Sequence, residues 1–169
     1  MIENLAEIGR ATEEDLDGIL ALQAENQPGR GGRLSAIFPR SLIAEIMRDT
    51  PVIVSRLAGC VTGYLVTSTR EMNADIPIID AMLAAYSGAS ASHVYGPICV
   101  VAEQRGKGLA QAMFAELRRW EPEREYILFV RRDNTASLRA HAKMGMHEVA
   151  DFMFRDNDYV VLSSVRSAA

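Results

Sequence analysis

Apolar positions along this chain follow two spacings, and the switches between them mark out its elements. Leu16, Ile19, Leu20 and Leu22 recur at helical spacing, and Thr12, followed three residues later by Asp15, caps that run ahead of an end near Asn26. A second helical run covers Pro39 to Arg48, with Leu42, Ile43, Ile46 and Met47 on one side and Pro51 as its stop. Strand-like runs take over at VIVSRL and CVTGYLVTS, residues 52–68, where Ala58-Gly59 predicts a hairpin turn. PIIDAMLAAYSG, residues 77–88, opens on a first-turn proline and closes on Gly88, which predicts a short crossover helix whose apolar face covers the sheet.

HVYGPICVVA, residues 93–102, reads as a strand interrupted at Gly96-Pro97. Proline has no amide hydrogen to give a ladder, so an edge, a bulge or a strand start is expected there. Leu109, Met113 and Leu117, with Ala110, Phe114 and Trp120 alongside, specify a helix over 108–119; YILFVRR, 126–132, reads as a buried strand. The last helix runs from Asn134 or Thr135 to about Met144, with Gly145 as its stop. Two final strands, near 147–155 and 159–165, are separated by the turn sequence Asp156-Asn157-Asp158. With a short first strand in Leu5 to Arg10, these elements make a mixed α/β domain around one sheet, its strand-helix-strand crossover right-handed.

Composition narrows the class. The 169 residues suit one domain with a continuous core, and 49% apolar with 24% charged residues is a globular balance. Eighteen basic against 22 acidic side chains give a net charge of −4, which argues against a nucleic-acid binder relying on broad positive potential. No stretch approaches a membrane span and the amino terminus lacks a secretory pattern, so a cytoplasmic location is the default expectation. Cys60 and Cys99 sit in apolar runs and read as buried thiols; with His93, His141 and His147 they show no metal-ligand spacing, so no metal is expected.

The charged start of the 108–119 helix is the exception to an otherwise ordinary pattern. A helix N-terminus carries partial positive charge and unsatisfied amides, so Arg105 and Lys107 cost a few tenths to about 1 kcal/mol each there unless an anion compensates. Gly106 and Gly108 let backbone amides approach phosphate oxygens and tolerate the positive φ that such nests require. A P-loop is excluded, because its upstream glycine and its Ser/Thr fall on Val101 and Gly108. A dinucleotide fingerprint is a poor fit, with Gln111 at its third glycine.

What remains is Arg105-x-x-Gly108-x-Ala110, which resembles the (Q/R)-x-x-G-x-(G/A) signature of the GNAT superfamily of N-acetyltransferases. ICVVAEQRGKGLA is similar to that family's passage from strand to loop, and NTASLRAHAKMGM, residues 134–146, to its later Asn-x-x-Ser/Ala helix ending in a glycine-apolar pair. The order of elements agrees from Leu5 to Val165. The resemblance implies the acyl-CoA N-acyltransferase fold as one N-acetyltransferase domain over 1–169: a mixed, mostly antiparallel sheet of six to seven strands flanked by four to five helices.

It also implies acetyl-CoA as co-substrate, its pyrophosphate on the amides of Arg105, Gly106, Lys107, Gly108, Leu109 and Ala110, and its pantetheine arm along Ile98, Cys99 and Val100. Asn134 corresponds to an asparagine beside the pantetheine, and is equally explained as a helix N-cap. At 141 many members carry a tyrosine that protonates the leaving thiolate; here it is His141, able to act as that acid, to orient the coenzyme, or to fill the helix face. The Val100 amide is a candidate donor to a developing oxyanion. His93 and Tyr95, which alternate onto one face of their strand, and Glu103 are candidates to take a proton from the amine.

The function so implied is transfer of acetyl from acetyl-CoA to a primary amine by direct attack, with a small-molecule amine as acceptor, no nucleic-acid or membrane partner, and a homodimer compatible. Arg30, Arg33 and Arg40 border the acceptor side in the resemblance, and Arg131, Arg132 and Arg139 are candidates for the ribose phosphate. Two alternatives stay open: a non-catalytic acyl-CoA-binding module, which the missing tyrosine keeps in play, and a protein N-acetyltransferase.

Overall fold

A computed structural model describes residues 5–27 and 37–165. Among them are seven strands and five α-helices: β1 Glu7–Arg10, α1 Leu16–Glu25, α2 Arg40–Asp49, β2 Ile53–Leu57, β3 Cys60–Ser68, α3 Pro77–Ala85, β4 His93–Val100, α4 Leu109–Trp120, β5 Tyr126–Arg131, α5 Thr135–Lys143, β6 His147–Phe154 and β7 Asn157–Ser163. The strand order is β1-β2-β3-β4-β5-β7-β6. The β1/β2, β2/β3, β5/β7 and β6/β7 pairs are antiparallel and β4/β5 is parallel. The chain groups into two compact units, one up to Thr67 together with Gly96–Pro122, the other Ser68–Tyr95 together with Glu123 onward.

In the first unit α1 is entered through a 3-10 turn, Glu13–Asp15, in which the Thr12 amide donates to Asp15 Oδ2 at 2.8 Å and the Asp15 amide returns to the Thr12 carbonyl at 2.9 Å. Arg56 on β2 grips that carboxylate from the other side, Nε to Oδ1 at 2.8 Å and Nη2 to Oδ2 at 2.6 Å, so the strand and the helix start are tied by a two-point ion pair. Ala58 (φ 51°) and Gly59 (φ 80°) form the two-residue hairpin turn, because two successive left-handed residues match the twist of the flanking strands. Cys60 pairs with Leu57 beside that turn and is exposed, contrary to the buried thiol its apolar run suggests; Cys99 is buried as expected. The α4 helix buries Met113, Phe114 and Leu117 and packs on β1 and β2. Trp120 stays exposed at its end, with the Arg10 guanidinium 5.1 Å from the ring centroid.

The second unit is built around α3, which begins on Pro77 and buries Ile79 and Met82 against Val94, Ile127 and Val161. The β4 ladder with β5 is carried by His93↔Tyr126 and Val94↔Ile127, just ahead of Gly96 (φ 116°) and Pro97. Since β4 is interior in the strand order, the edge, one of the three placements Pro97 left open, is excluded. The final hairpin turns on Arg155 (φ 48°) and Asp156 (φ 66°), starting one residue and ending two residues earlier than Asp156-Asn157-Asp158 suggests. Asp158 is instead held in β7: its carbonyl accepts from the Arg132 amide at 2.9 Å and its carboxylate from Arg132 Nε at 3.0 Å.

Residues 86–93, poor in apolar side chains, are fastened by three distant ones. Buried Glu125 accepts from the Tyr86 hydroxyl and the Ala89 amide, both at 2.7 Å, and from Ser163 Oγ at 2.5 Å. Arg70 donates to the carbonyls of Ser87 and Ala89 and to Ser92 Oγ, and Arg124 to the carbonyl of Ala91.

The Arg56 guanidinium, followed by the Thr12 hydrogen bonds, holds the Asp15 carboxyl below its ordinary 3.8 against the opposing effect of burial. A carboxylate with a depressed folded-state value stabilises the fold fully above its unfolded value and loses that contribution as pH falls through the folded one. Asp15→Asn is therefore expected to cost about 2 kcal/mol at pH 7. The gap to wild type in urea unfolding should close as the pH is lowered from about 4 toward 2, and a gap independent of pH would exclude the ion pair as its source.

Candidate functional site

In the first unit β4 runs out at Val100, and the next amide, that of Val101, still donates to the Thr62 carbonyl on β3 at 2.8 Å. A 3-10 turn, Ala102–Gln104, follows and is closed by the Arg105 amide on the Ala102 carbonyl at 3.3 Å. Gly106 (φ 78°) and Gly108 (φ 79°) then take left-handed conformations, and Gly108 caps α4. A Cβ at either glycine would meet no atom within 4 Å, so the dihedral angle and not crowding demands glycine, and the space over the turn is open. The first intrahelical bond runs from Ala112 to the Gly108 carbonyl at 3.0 Å, leaving the amides of Leu109, Ala110 and Gln111 without a helical acceptor. The available set begins at Gly106, one residue later than expected, because the Arg105 amide is spent on Ala102.

The Arg105 side chain explains its place at a helix start. Its guanidinium is drawn off to two acceptors: Nε donates to the Val100 carbonyl at 3.1 Å and Nη2 to Asn26 Oδ1 at 2.7 Å. Lys107 is exposed. Of the preceding strand residues, Ile98 and Val100 are partly covered and Cys99 is buried; burial pushes the Cys99 thiol up to about 11 even though the Arg105 charge pulls it down.

In the second unit Asn134, Ser137 and His141 form one chain of contacts along α5. Asn134 caps the helix by accepting the Ser137 amide on Oδ1 at 3.3 Å. His141, 5% exposed, places Nδ1 2.8 Å from the Ser137 carbonyl and 3.2 Å from its hydroxyl. A carbonyl only accepts, so Nδ1 carries a hydrogen and, in the neutral ring, Nε2 carries a lone pair. Nε2 is buried and has no hydrogen-bond partner among the described residues. Burial lowers the His141 pKa below 6.5, with the Ser137 carbonyl opposing, so the ring is neutral at pH 7. The Tyr95 ring meets His141 edge-on, centroids 5.4 Å apart at 82°, and its hydroxyl donates to Met144 Sδ at 3.7 Å; burial raises the Tyr95 pKa far above its usual value. His93, two residues back, meets the Tyr126 ring edge-on with centroids 6.5 Å apart.

Other sequence candidates are engaged elsewhere or lie outside the description. Arg30 and Arg33 fall outside the described residues. Arg40 pairs with Asp17, and Arg131 with Asp133 at 3.1 Å. Arg132 bridges Asp158, Asp151 and Glu148. Glu103 is exposed. Among the described residues no helix is long and apolar enough to cross a membrane, and no group of three or more His, Cys, Asp or Glu gathers as a metal site. Asn26 is the site-adjacent residue that sequence reasoning passed over, having marked only the end of α1.

No curated protein matches the sequence significantly. Among solved structures, a GNAT-family acetyltransferase from Streptococcus agalactiae 2603 superposes with a TM-score of 0.71 at 16% identity over 96% of each chain. Ribosomal-protein-alanine N-acetyltransferase from Brucella melitensis does so at 0.67 and 21% identity, over 95% of this chain and 99% of that one. The yncA protein of Salmonella typhimurium, solved with its cofactor acetyl-CoA, gives 0.65 and 18% identity over 98% and 97%. These likenesses establish the fold, and the sequence profile of the acetyltransferase (GNAT) family matches residues 38–146, more than half of the chain. The chain therefore belongs to the GNAT family of acyl-CoA-dependent acetyltransferases.

Proposed function

We propose that the protein transfers an acetyl group from acetyl-CoA to a primary amine by direct attack, with the coenzyme diphosphate on the amides of Gly106 to Ala110. The observation that carries this is the open, left-handed turn at Gly106 and Gly108, which aims unsatisfied amides and the positive helix end at one place. The pantetheine arm would lie along Ile98, Cys99 and Val100, using main-chain groups while Cys99 packs inward. Arg105 contributes through its side chain, since its amide is already bonded, and Lys107 offers exposed positive charge. Asn134 acts on α5 as a cap.

Direct transfer is favoured over an acyl-enzyme because Cys99, with its thiol raised to about 11, stays protonated at neutral pH. The attacking nitrogen forms the amide bond as the C–S bond breaks, and the Val100 amide donates to the carbonyl oxygen as charge develops. One proton must leave the nitrogen and one must reach the sulfur. A neutral His141 with hydrogen on Nδ1 cannot give a proton from Nε2 until it has received one. We therefore assign His141 as the acceptor first: Nε2 takes the proton from nitrogen and then returns it to the thiolate. Tyr95, protonated and bonded to Met144, orients the ring; His93 is not needed for this path.

The acceptor class is the primary amine. A small-molecule amine remains the leading reading. The similarity to the Brucella melitensis ribosomal-protein-alanine N-acetyltransferase makes a protein α-amine the second acceptor to try. Following free thiol release from acetyl-CoA with a panel of small amines and alanine-terminated peptides separates the two, and coenzyme binding without thiol release from any of them would support the non-catalytic alternative.

At φ 79° a branched side chain strains the backbone by about 1–3 kcal/mol, so Gly108→Val should weaken coenzyme A binding at least about tenfold in calorimetric titration. Unchanged affinity would remove the turn from the coenzyme site. His141→Phe is expected to lower kcat about 100-fold while leaving the coenzyme dissociation constant close to wild type. In the wild type kcat should fall on the acid side with an apparent pKa below 6.5 and hold level above it, because the neutral ring is the working form. A kcat that declines as pH rises through that range would instead make His141 the acid.

A further inference from the structure

The last turn of α1 fastens two other segments by side chains. Gln23, buried, holds Phe38 by both backbone groups: Nε2 donates to the Phe38 carbonyl at 2.9 Å and the Phe38 amide donates to Oε1 at 2.9 Å. Asn26, 8% exposed, donates Nδ2 to the Leu22 carbonyl at 2.8 Å, its own amide to the Gln23 carbonyl at 3.2 Å, and turns Oδ1 to the Arg105 guanidinium. Since Arg105 Nε also reaches the Val100 carbonyl, one planar group spans from the end of β4 to the end of α1, across the start of the glycine turn.

That turn has little else to define it. Between the Arg105 amide on Ala102 and the first bond of α4 lie Gly106, Lys107 and Gly108; the two glycines are the residues with most backbone freedom, and a Cβ on either would meet no atom within 4 Å. Freedom lost only on binding weakens binding, whereas freedom already lost in the unliganded protein does not. The α4 helix fixes the far side of the turn. On the near side the fixed partner is the end of α1, reached through Arg105.

From this we infer that Arg105 and Asn26 are a positioning pair that holds the glycine turn ready for the diphosphate, an inference that rests on the coenzyme reading above. Neither side chain has to touch the ligand. The pair works by geometry and not by charge alone: lysine would keep the charge but lacks the rigid fork that reaches both acceptors.

Coenzyme A titrated calorimetrically into the full chain, as wild type, Asn26→Ala, Arg105→Lys and the double variant, tests this. Each single change is expected to weaken binding about tenfold, the size of one hydrogen bond to a charged group. The double variant should bind no more weakly than the worse single, because both changes break one link. In steady-state assays Asn26→Ala should act on the KM for acetyl-CoA more than on kcat, a split that general destabilisation would not produce. Wild-type affinity in Arg105→Lys, or losses that add in the double variant, would overturn the pair. Should Asn26→Ala fold poorly, Arg105→Lys, at an exposed position, decides alone. A wild type that binds no coenzyme A would sink the coenzyme reading and this inference with it, whereas a binding wild type with unaffected variants sinks the inference only.

Discussion

A helix entered from a left-handed glycine cannot satisfy its first amides from its own backbone, and the chemistry of the first unit is arranged around that deficit. The Gly108 dihedral turns the chain so that Leu109 to Gln111 present hydrogens outward, and Gly106 repeats the same conformation two residues earlier. Cations would ordinarily worsen such a helix end. Here one of them, Arg105, is led away to a carbonyl and an amide oxygen, and in the proposed reading the positive end of α4 is left to the coenzyme diphosphate.

The second unit fixes the tautomer of a buried histidine. A histidine has two nitrogens, and the one that meets a backbone carbonyl is obliged to carry the hydrogen. The Ser137 carbonyl makes that choice for His141, and burial keeps the ring neutral, so the free nitrogen carries a lone pair. In the proposed mechanism it is these surroundings, more than the residue type, that make His141 accept a proton before giving one.

How much of this the chain discloses beforehand depends on whether the deciding contact is local. The glycine turn was legible because no other residue is at ease near φ 80°, and α4 because Met113, Phe114 and Leu117 repeat at helical spacing. Asn134 was legible as a helix start from the local pattern, and His141 only through the family resemblance. The Arg155-Asp156 turn was not, since Asp156-Asn157-Asp158 has the better turn chemistry and it takes the distant Arg132, with the pairing to Met153, to hold Asp158 in a strand. An apolar run could not reveal that Cys60 falls next to a hairpin tip. Asn26 and Arg105 are 79 residues apart, and no periodicity links them. The charge state of His141 likewise follows from burial, which the spacing of residues does not report.

The stretch from Tyr86 to His93 has the composition of a soft surface loop, Ser-Gly-Ala-Ser-Ala-Ser at its centre, yet Arg70, Arg124 and Glu125 hold its carbonyls and amides. A protease must draw several residues of backbone into its own cleft before it can cut. Here that backbone is already claimed, so this small-residue segment is shielded from digestion by its anchors and not by burial.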